Sequence, residues 1–157
     1  MASPRPPRNA RGEGYVALQM LLLVGIATLP LRRPAPRPPS ALRGAGAVLL
    51  GAGSALAGWS ALRLGRNLTP LPVPREDGHL VQTGPYALAR HPLYGGLLLA
   101  SLGWATRRGH ASALGLSVLL ALLFEKKSRY EETRLAERFP EYPAYRRRVR
   151  RFIPWVY

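Results

Sequence analysis

The sequence predicts an all-α, polytopic integral membrane protein. About four membrane-embedded helices are expected, the last two a short hairpin, followed by a cytoplasmic C-terminal helix. Three observations predict this. Apolar runs almost free of charge alternate with Arg-rich ones along the 157 residues, a segregation that the mean hydropathy of −0.05 conceals. The first two runs have no polar face, which a surface helix of a soluble protein would show. And 23 Lys+Arg against 8 Asp+Glu, a net charge of +15, are spread unevenly about those runs. Zero Cys excludes disulfides, a thiol nucleophile and Cys-based metal sites.

The chain opens with a basic leader, residues 1–13, in which three Pro and three Arg lie before Gly12 without apolar periodicity; the composition is that of a disordered segment. Residues 14–64 read as two transmembrane helices. Gly14 to Leu31 is 18 residues without a charge, close to the roughly 20 that a spanning helix needs. Pro30 lies at its far end, and the Arg and Pro residues after it make a poor cleavage site for the rival reading as a signal peptide. Gly44 to Leu62 is 19 uncharged residues ending beside Trp59, an interfacial anchor. Ala47, Gly51, Ala55 and Gly58 recur on it at helical spacing, a face that another helix could approach closely in lipid.

Residues 65–157 form the remaining unit: a long polar connector, the hairpin, a charged helix and a tail. Two apolar runs, Pro92 to Thr106 with 15 residues and Ala111 to Phe124 with 14, flank Arg107-Arg108-Gly109-His110. A hairpin keeps that basic break out of the membrane middle. A charged helix is expected from Glu125 to about Arg138, before Pro140, and a basic stretch precedes the apolar end Phe152 to Tyr157. With four spans, 17 Lys and Arg fall on the side of the leader, the long connector and the tail, against 6 opposite. The richer side should be cytoplasmic, with both termini there and the protein in the cell membrane. Topology thus accounts for the charge, and no nucleic-acid partner is expected.

Two polar segments on that side could carry chemistry. His91-Pro92 directly before an apolar helix puts Pro in its first turn, where a missing N–H costs nothing. The first-turn amides of Leu93 and Tyr94 then offer an anion site for a carboxylate or phosphate. Farther on, Lys127, Glu131 and Leu135 share a helix face, while Arg129 and Glu132 are neighbours three apart. They are either surface ion pairs or a carboxylate aimed at a cation near the membrane. His79, His91 and His110 lack metal-ligand spacing, so no metal is expected. Gly12-Glu13-Gly14-Tyr15-Val16-Ala17 matches a dinucleotide fingerprint by letter, but no strand precedes it. No Gly-x-Ser-x-Gly elbow supports a hydrolase.

Leu80-Val81-Gln82-Thr83-Gly84-Pro85-Tyr86, then Arg90-His91-Pro92-Leu93-Tyr94-Gly95, then Glu131-Glu132 resemble the isoprenylcysteine carboxyl methyltransferase family. So do Phe139-Pro140-Glu141-Tyr142-Pro143-Ala144-Tyr145, Val149 and Phe152-Ile153-Pro154. That family and the related phospholipid N-methyltransferases are small membrane enzymes using S-adenosylmethionine. The resemblance covers about residues 60–154 and implies a cytoplasmic cofactor pocket beneath the long connector. Its cofactor contacts would fall on Gly78, His79, Leu80, Val81, Tyr86, His91, Pro92, Leu93, Tyr94 and Glu131. It makes Glu131, Glu132 and His91 the candidate catalytic residues, and Lys127 and Arg129 the candidate substrate-binding ones. The eukaryotic enzymes carry a substrate-binding Arg four residues before the first Glu of the pair; here that place is Lys127, with Arg129 two residues later.

The implied reaction is methyl transfer to a lipophilic acceptor, the carboxylate of an isoprenylcysteine-like or other lipid substrate. The alternatives are phospholipid amine N-methylation and a non-catalytic small membrane protein. Membrane lipids are the expected surroundings, and the oligomeric state is left open.

Overall fold

The computed structural model describes residues 12–33, 35–75 and 77–152. The expected leader before Gly12 and the apolar end after Phe152 lie outside the described residues. Five α-helices account for most of the rest: α1 Glu13–Arg32, α2 Ser40–Leu64, α3 Pro92–Arg108, α4 Ala111–Arg138 and α5 Tyr142–Arg148. Single 3₁₀ turns, Gly65–Asn67 and Gly84–Ala87, punctuate the connector between α2 and α3. By length and composition two helices qualify as membrane spans, Glu13–Arg32 and Ser40–Asn67.

In α1 the inward face is Gln19, Leu22, Ile26 and Pro30, spaced at three to four residues. Leu18, Met20, Leu21, Val24 and Leu31 point outward and stay exposed. Val118, Leu119 and Leu122 of α4 do the same. A belt of exposed leucine and valine around a polar inward residue suits helices surrounded by hydrocarbon.

The tightest seam joins α2 to α3. Gly46 and Gly53 of α2, seven residues apart, face Gly96 and Gly103 of α3, also seven apart. A Cβ added to Gly46 would lie 2.5 Å from the Arg107 amide, and one on Gly96 2.6 Å from the Ala57 amide. Added Cβ atoms on Gly53 and Gly103 would meet the backbone of Ala100 and Leu50. Backbone therefore rests on backbone, as small residues permit. The small-residue stripe read from the sequence is a different one: a Cβ at Gly51 or Gly58 would meet nothing within 4 Å. Gly53 lies two residues, about 200°, round the helix from Gly51, so the expected stripe faces away from α3.

The α3–α4 hairpin forms as expected. Gly109, in left-handed backbone (φ 62°), ends α3, and the His110 ring accepts from the Ala113 amide to cap α4. Arg108 donates to the Pro30 carbonyl at 2.9 Å, so the hairpin tip and the α1–α2 connector share one end of the bundle. That is the alternation which the charge count assumes.

One expectation is corrected at α4. Its 28 residues run without a break through Phe124 and Glu125 to Arg138, so the charged segment is not a separate helix. At 1.5 Å per residue it is about 42 Å long, more than a hydrocarbon core of about 30 Å. Its last turns project from the bundle, where the long connector, α5 and the tail gather around them. The helix after Pro140 is the short α5.

Candidate functional site

A cavity of about 410 Å³ opens at that polar end. Its size falls within the range of small-molecule sites, roughly 300–1,000 Å³. Ten of the expected residues line it: Gly78, His79, Leu80 and Val81 from the connector, Tyr86 from its second 3₁₀ turn, His91, Leu93 and Tyr94 from the start of α3, and Lys127 and Glu131 from α4. Leu135 completes the α4 face.

Local sequence explains how these side chains arrive. Pro92 begins α3, turning the chain so that His91 ends the connector and Tyr94 looks inward one turn later. His91 and Tyr94 stack in parallel at 5.4 Å, and Tyr94 stacks on Phe124 at 4.4 Å. The Tyr94 hydroxyl donates to Glu131 Oε2 at 2.8 Å, and His91 Nδ1 lies 3.9 Å from the same oxygen. In the connector, Asn67 Oδ1 accepts from the His79 amide at 3.0 Å, which folds residues 78–81 over the cavity. Tyr145 donates to the Tyr86 carbonyl at 2.6 Å and ties α5 to the connector.

Three expected site residues lie off the cavity wall. Pro92 is buried in the first turn of α3. Arg129 points outward, 67% exposed, and donates to Glu125 at 2.6 Å. Glu132 sits behind His91, 2% exposed, and binds Arg90 at 2.9 Å, Arg151 at 3.1 Å and His91 Nε2 at 3.2 Å. Burial would raise the Glu132 carboxyl, but the hydrogen bonds from His91 and Arg151 and the charge of Arg90 outweigh it and hold it at about 2. A carboxylate so stabilised is a poor proton acceptor, so Glu132 lacks the character of a general base. Being ionised, it can only accept; His91 Nε2 therefore carries the proton toward it.

The tail completes this arrangement. The Arg90 amide donates to the Arg150 carbonyl at 2.8 Å and the His91 amide to the Arg151 carbonyl at 2.9 Å, a short parallel pairing around the Ala89–Arg150 bridge. Arg90 also donates to the Arg146 and Val149 carbonyls.

Sequence reasoning missed Gln19, Asn67, Tyr142 and Tyr145, which also line the cavity. Gln19 did leave a signal, as the only amide side chain in the uncharged run Gly14–Leu31. Tyr142 is almost fully buried, and its hydroxyl has no hydrogen-bond partner among the described residues. Burial, reinforced by Glu132, pushes that phenol far above its usual range; burial does the same to Tyr86 and Tyr145, and all three stay neutral.

These features fit S-adenosylmethionine: apolar walls from Leu80, Val81 and Leu93, polar atoms on His91, Tyr94 and Glu131, and an orphaned buried hydroxyl on Tyr142. Among the described residues, no three His, Cys, Asp or Glu side chains gather in a way that could hold a metal ion.

The fold matches the eukaryotic intramembrane Ras methyltransferase ICMT, an isoprenylcysteine carboxyl methyltransferase, with a TM-score of 0.69 and 23% identity, over 95% of this chain and 55% of that one. Protein-S-isoprenylcysteine O-methyltransferase B of Arabidopsis thaliana is 35% identical over 96 residues, 59% of this chain and 49% of that protein. The cobalt-zinc-cadmium resistance protein CzcN of Cupriavidus metallidurans is 41% identical over 81 residues, 51% of this chain and 38% of that protein. The matches thus span less than half the length of these two relatives. The description of the phospholipid methyltransferase family matches residues 42–142, from the second residue past the start of α2 to the first residue of α5, and includes nearly every side chain placed around the cavity. The chain belongs to the phospholipid methyltransferase family.

Proposed function

We propose that the protein is an S-adenosylmethionine-dependent methyltransferase that modifies a lipophilic acceptor at the cytoplasmic face of the cell membrane. The observation that carries the reading is the cavity itself. Its apolar floor opens from a bundle with lipid-facing walls, and its polar groups converge where α3 begins and α4 leaves the bundle. S-adenosylmethionine, when bound, supplies a methyl group on a positively charged sulfur that is already a good leaving group.

The chain's own task is placement and exclusion of water. Leu80, Val81 and Leu93 would wall the adenine. The first-turn amides of α3, with His91, would hold a carboxylate. Glu131, fixed by Tyr94, would offset a positive group. Glu132 holds the His91 ring through Nε2, which leaves Nδ1 toward the cavity as the atom placed to take a proton. Glu132 is accordingly a positioning residue in this reading, and His91 the base.

We read residues 65–157 as the methyltransferase core and residues 14–64 as its two membrane helices, with Gln19, Ala61 and Leu64 reaching the cavity from the latter. Both termini are assigned to the cytoplasm from the charge split. The Arabidopsis relative's name speaks for an isoprenylcysteine acceptor, and the family's for a phospholipid.

Calorimetric titration of the full chain in detergent with S-adenosylhomocysteine tests the reading. Micromolar affinity is expected, on the order of −8 kcal/mol. Neither heat nor thermal shift at millimolar ligand would sink it. The absence of Cys makes the topology separately testable. A single cysteine at Arg108 should be labelled only from outside the cell, and one at Asp77 only from inside.

A further inference from the structure

The two ends of the bundle hold their cations differently. At the cavity, the three Lys and Arg side chains on the wall are all engaged. Lys127 donates to Gln19 Oε1 at 2.6 Å and to the Pro70 carbonyl at 2.8 Å, Arg90 is bound to Glu132, and Arg75 to Asp77. The opposite end has no carboxylate to offer: none of the chain's Asp and Glu falls between Gly14 and Arg75 or between Gly78 and Phe124. Yet six Arg belong to that end, Arg32, Arg33, Arg37 and Arg43 around the α1–α2 connector and Arg107 and Arg108 at the hairpin tip. A cleft of about 500 Å³ opens between the two segments, lined by Arg37, Arg43, Arg107 and Arg108 with Ala35 and Pro38. Two of these guanidiniums are fixed by neutral carbonyls: Arg108 by Pro30 at 2.9 Å and Arg43 by Pro38 at 3.3 Å. Arg37 and Arg107 are exposed and have no hydrogen-bond or ion-pair partner among the described residues.

The fold brings the four together despite their repulsion. A Cβ on Gly46, three residues after Arg43, would lie 2.5 Å from the Arg107 amide, so the glycine seam presses the start of α2 against the end of α3. A Cβ on Gly109 would lie 3.1 Å from the Pro36 carbonyl, so the Pro-rich connector rests on the hairpin tip. Like charges gathered at one rim call for an anion between them, and the chain supplies none. The depth of the cleft says which. Of the two helices that qualify as spans, one ends at Arg32 and the other begins at Ser40, which puts the cleft at the membrane boundary, with exposed Leu31 and Leu42 beside its Arg-bearing segments. We propose that this cleft binds the phosphodiester of an anionic phospholipid in the leaflet opposite the cavity. Guanidinium forks pair two N–H donors with two phosphate oxygens, and the lipid's chains lie along the apolar helix surfaces. Such a lipid is a fixed companion of the fold and not a methyl acceptor: the 17 residues of α3 put about 25 Å between Pro92 and Arg108. It ties the connector that follows α1, outside the family match at residues 42–142, to the α3–α4 hairpin. The proposal depends on the membrane embedding of the bundle and not on the reading of the cavity.

The test titrates the full chain in uncharged detergent with dioleoylphosphatidylglycerol, dioleoylphosphatidylcholine and inorganic phosphate. Dissociation constants come from thermal-shift curves, and native mass spectrometry counts the lipids retained. Wild type should bind phosphatidylglycerol at least tenfold more tightly than phosphatidylcholine, whose trimethylammonium the arginines repel. Inorganic phosphate, without chains, should bind more weakly than either. Arg37→Gln combined with Arg107→Gln removes two guanidiniums that hold nothing else among the described residues. That double variant should bind phosphatidylglycerol at least tenfold more weakly, while melting within about 2 °C of wild type when no lipid is present. Arg66→Gln combined with Arg147→Gln, both exposed at the cavity end, removes the same charge and should leave the affinity within twofold. Should the first double variant fail to fold, Arg37→Gln alone should weaken binding at least threefold. Equal affinity of wild type for the two lipids overturns the proposal. So does a double variant that binds phosphatidylglycerol like wild type, or a control pair that loses it equally. Inorganic phosphate binding as tightly as the lipid would give the cleft to a soluble anion and overturn the proposal too.

Discussion

Two regions hold α3 in place, and they do so by opposite means. Along α2 the contact is made by what is missing: Gly46, Gly53, Gly96 and Gly103 let two backbones touch. At the polar end α3 is held by charge. Glu132 gathers Arg90, His91 and Arg151 within 3.2 Å, all of them 12% exposed or less. A seam of glycines is intolerant of volume and indifferent to pH. A charge cluster tolerates some change of shape and depends on protonation. The site lies between them, so each region can be disturbed separately to learn what it contributes.

The largest effect is expected at the seam. Gly53→Leu forces a side chain into the backbone of Ala100 and should destabilise by more than about 3 kcal/mol, leaving little folded protein in detergent. Gly51→Leu, two residues away with open space at its Cβ, is the control and should change the melting temperature little. If both behave alike, the rotation of α2 is wrong and the comparison collapses.

At the clamp, Glu132→Gln leaves Arg90 buried without its counter-charge and should cost about 3 kcal/mol. The same group sets an acid limit. Its folded carboxyl is held at about 2 against an ordinary 4.5, so the unfolded chain takes up the proton first as pH falls. Stability from this group is complete above about 4.5 and drains away between there and about 2. Urea or thermal unfolding at stepped pH should show wild type losing stability in that window and Glu132→Gln losing less. Parallel curves for the two would break the contrast with the glycine seam.

Much of this contrast was legible in the sequence. The uncharged runs marked α1, α2 and the hairpin, and Arg107-Arg108-Gly109-His110 marked its tip. Helix rotation was not legible: Gly46, Ala47, Gly51 and Gly53 all look like permissive positions, and only the partner helix decides which are used. Nor did the switch from apolar to charged composition at Glu125 mark a helix end. Nothing between Leu120 and Arg138 stops an α-helix, and leaving the hydrocarbon changes its solvent but not its hydrogen bonds. Around the cavity, the motifs nominated residues 78–81, 91–94 and 131 as a group. They could not show that residues 150–151 pair with residues 90–91, because contacts across some sixty positions leave no local pattern. Gln19 was visible as a lone amide but had no assignable partner until α4 was placed beside α1.

The next effect belongs to the cavity. Glu131 accepts from Tyr94 and faces the ligand space, so Glu131→Gln should lose about 1.5–3 kcal/mol of S-adenosylhomocysteine binding, roughly ten- to more than a hundredfold. Glu141→Gln, on the exposed start of α5, controls for the general loss of a negative charge. Titrations at matched salt and detergent decide it. Unchanged binding by Glu131→Gln would remove this residue from the ligand contacts and leave Tyr94 and His91 to be tested in its place.

The smallest effect is expected at Arg129, where resemblance and geometry disagree. By motif position it is a candidate substrate ligand. On the helix it lies two residues from both Lys127 and Glu131, about 200° from the face that lines the cavity. Its side chain is 67% exposed and pairs with Glu125 four residues earlier, an arrangement worth about 0.3–0.5 kcal/mol on a helix surface. Arg129→Gln should therefore shift stability by less than about 0.5 kcal/mol and leave both S-adenosylhomocysteine and lipid affinity within twofold. The same titrations read it out, with a lower salt concentration added, because a screened surface charge would show its small effect there first. A tenfold loss of lipid binding at physiological salt would mean that α4 turns in the membrane to present Arg129 to the acceptor. The cavity face of Lys127, Glu131 and Leu135 would then not be the working one.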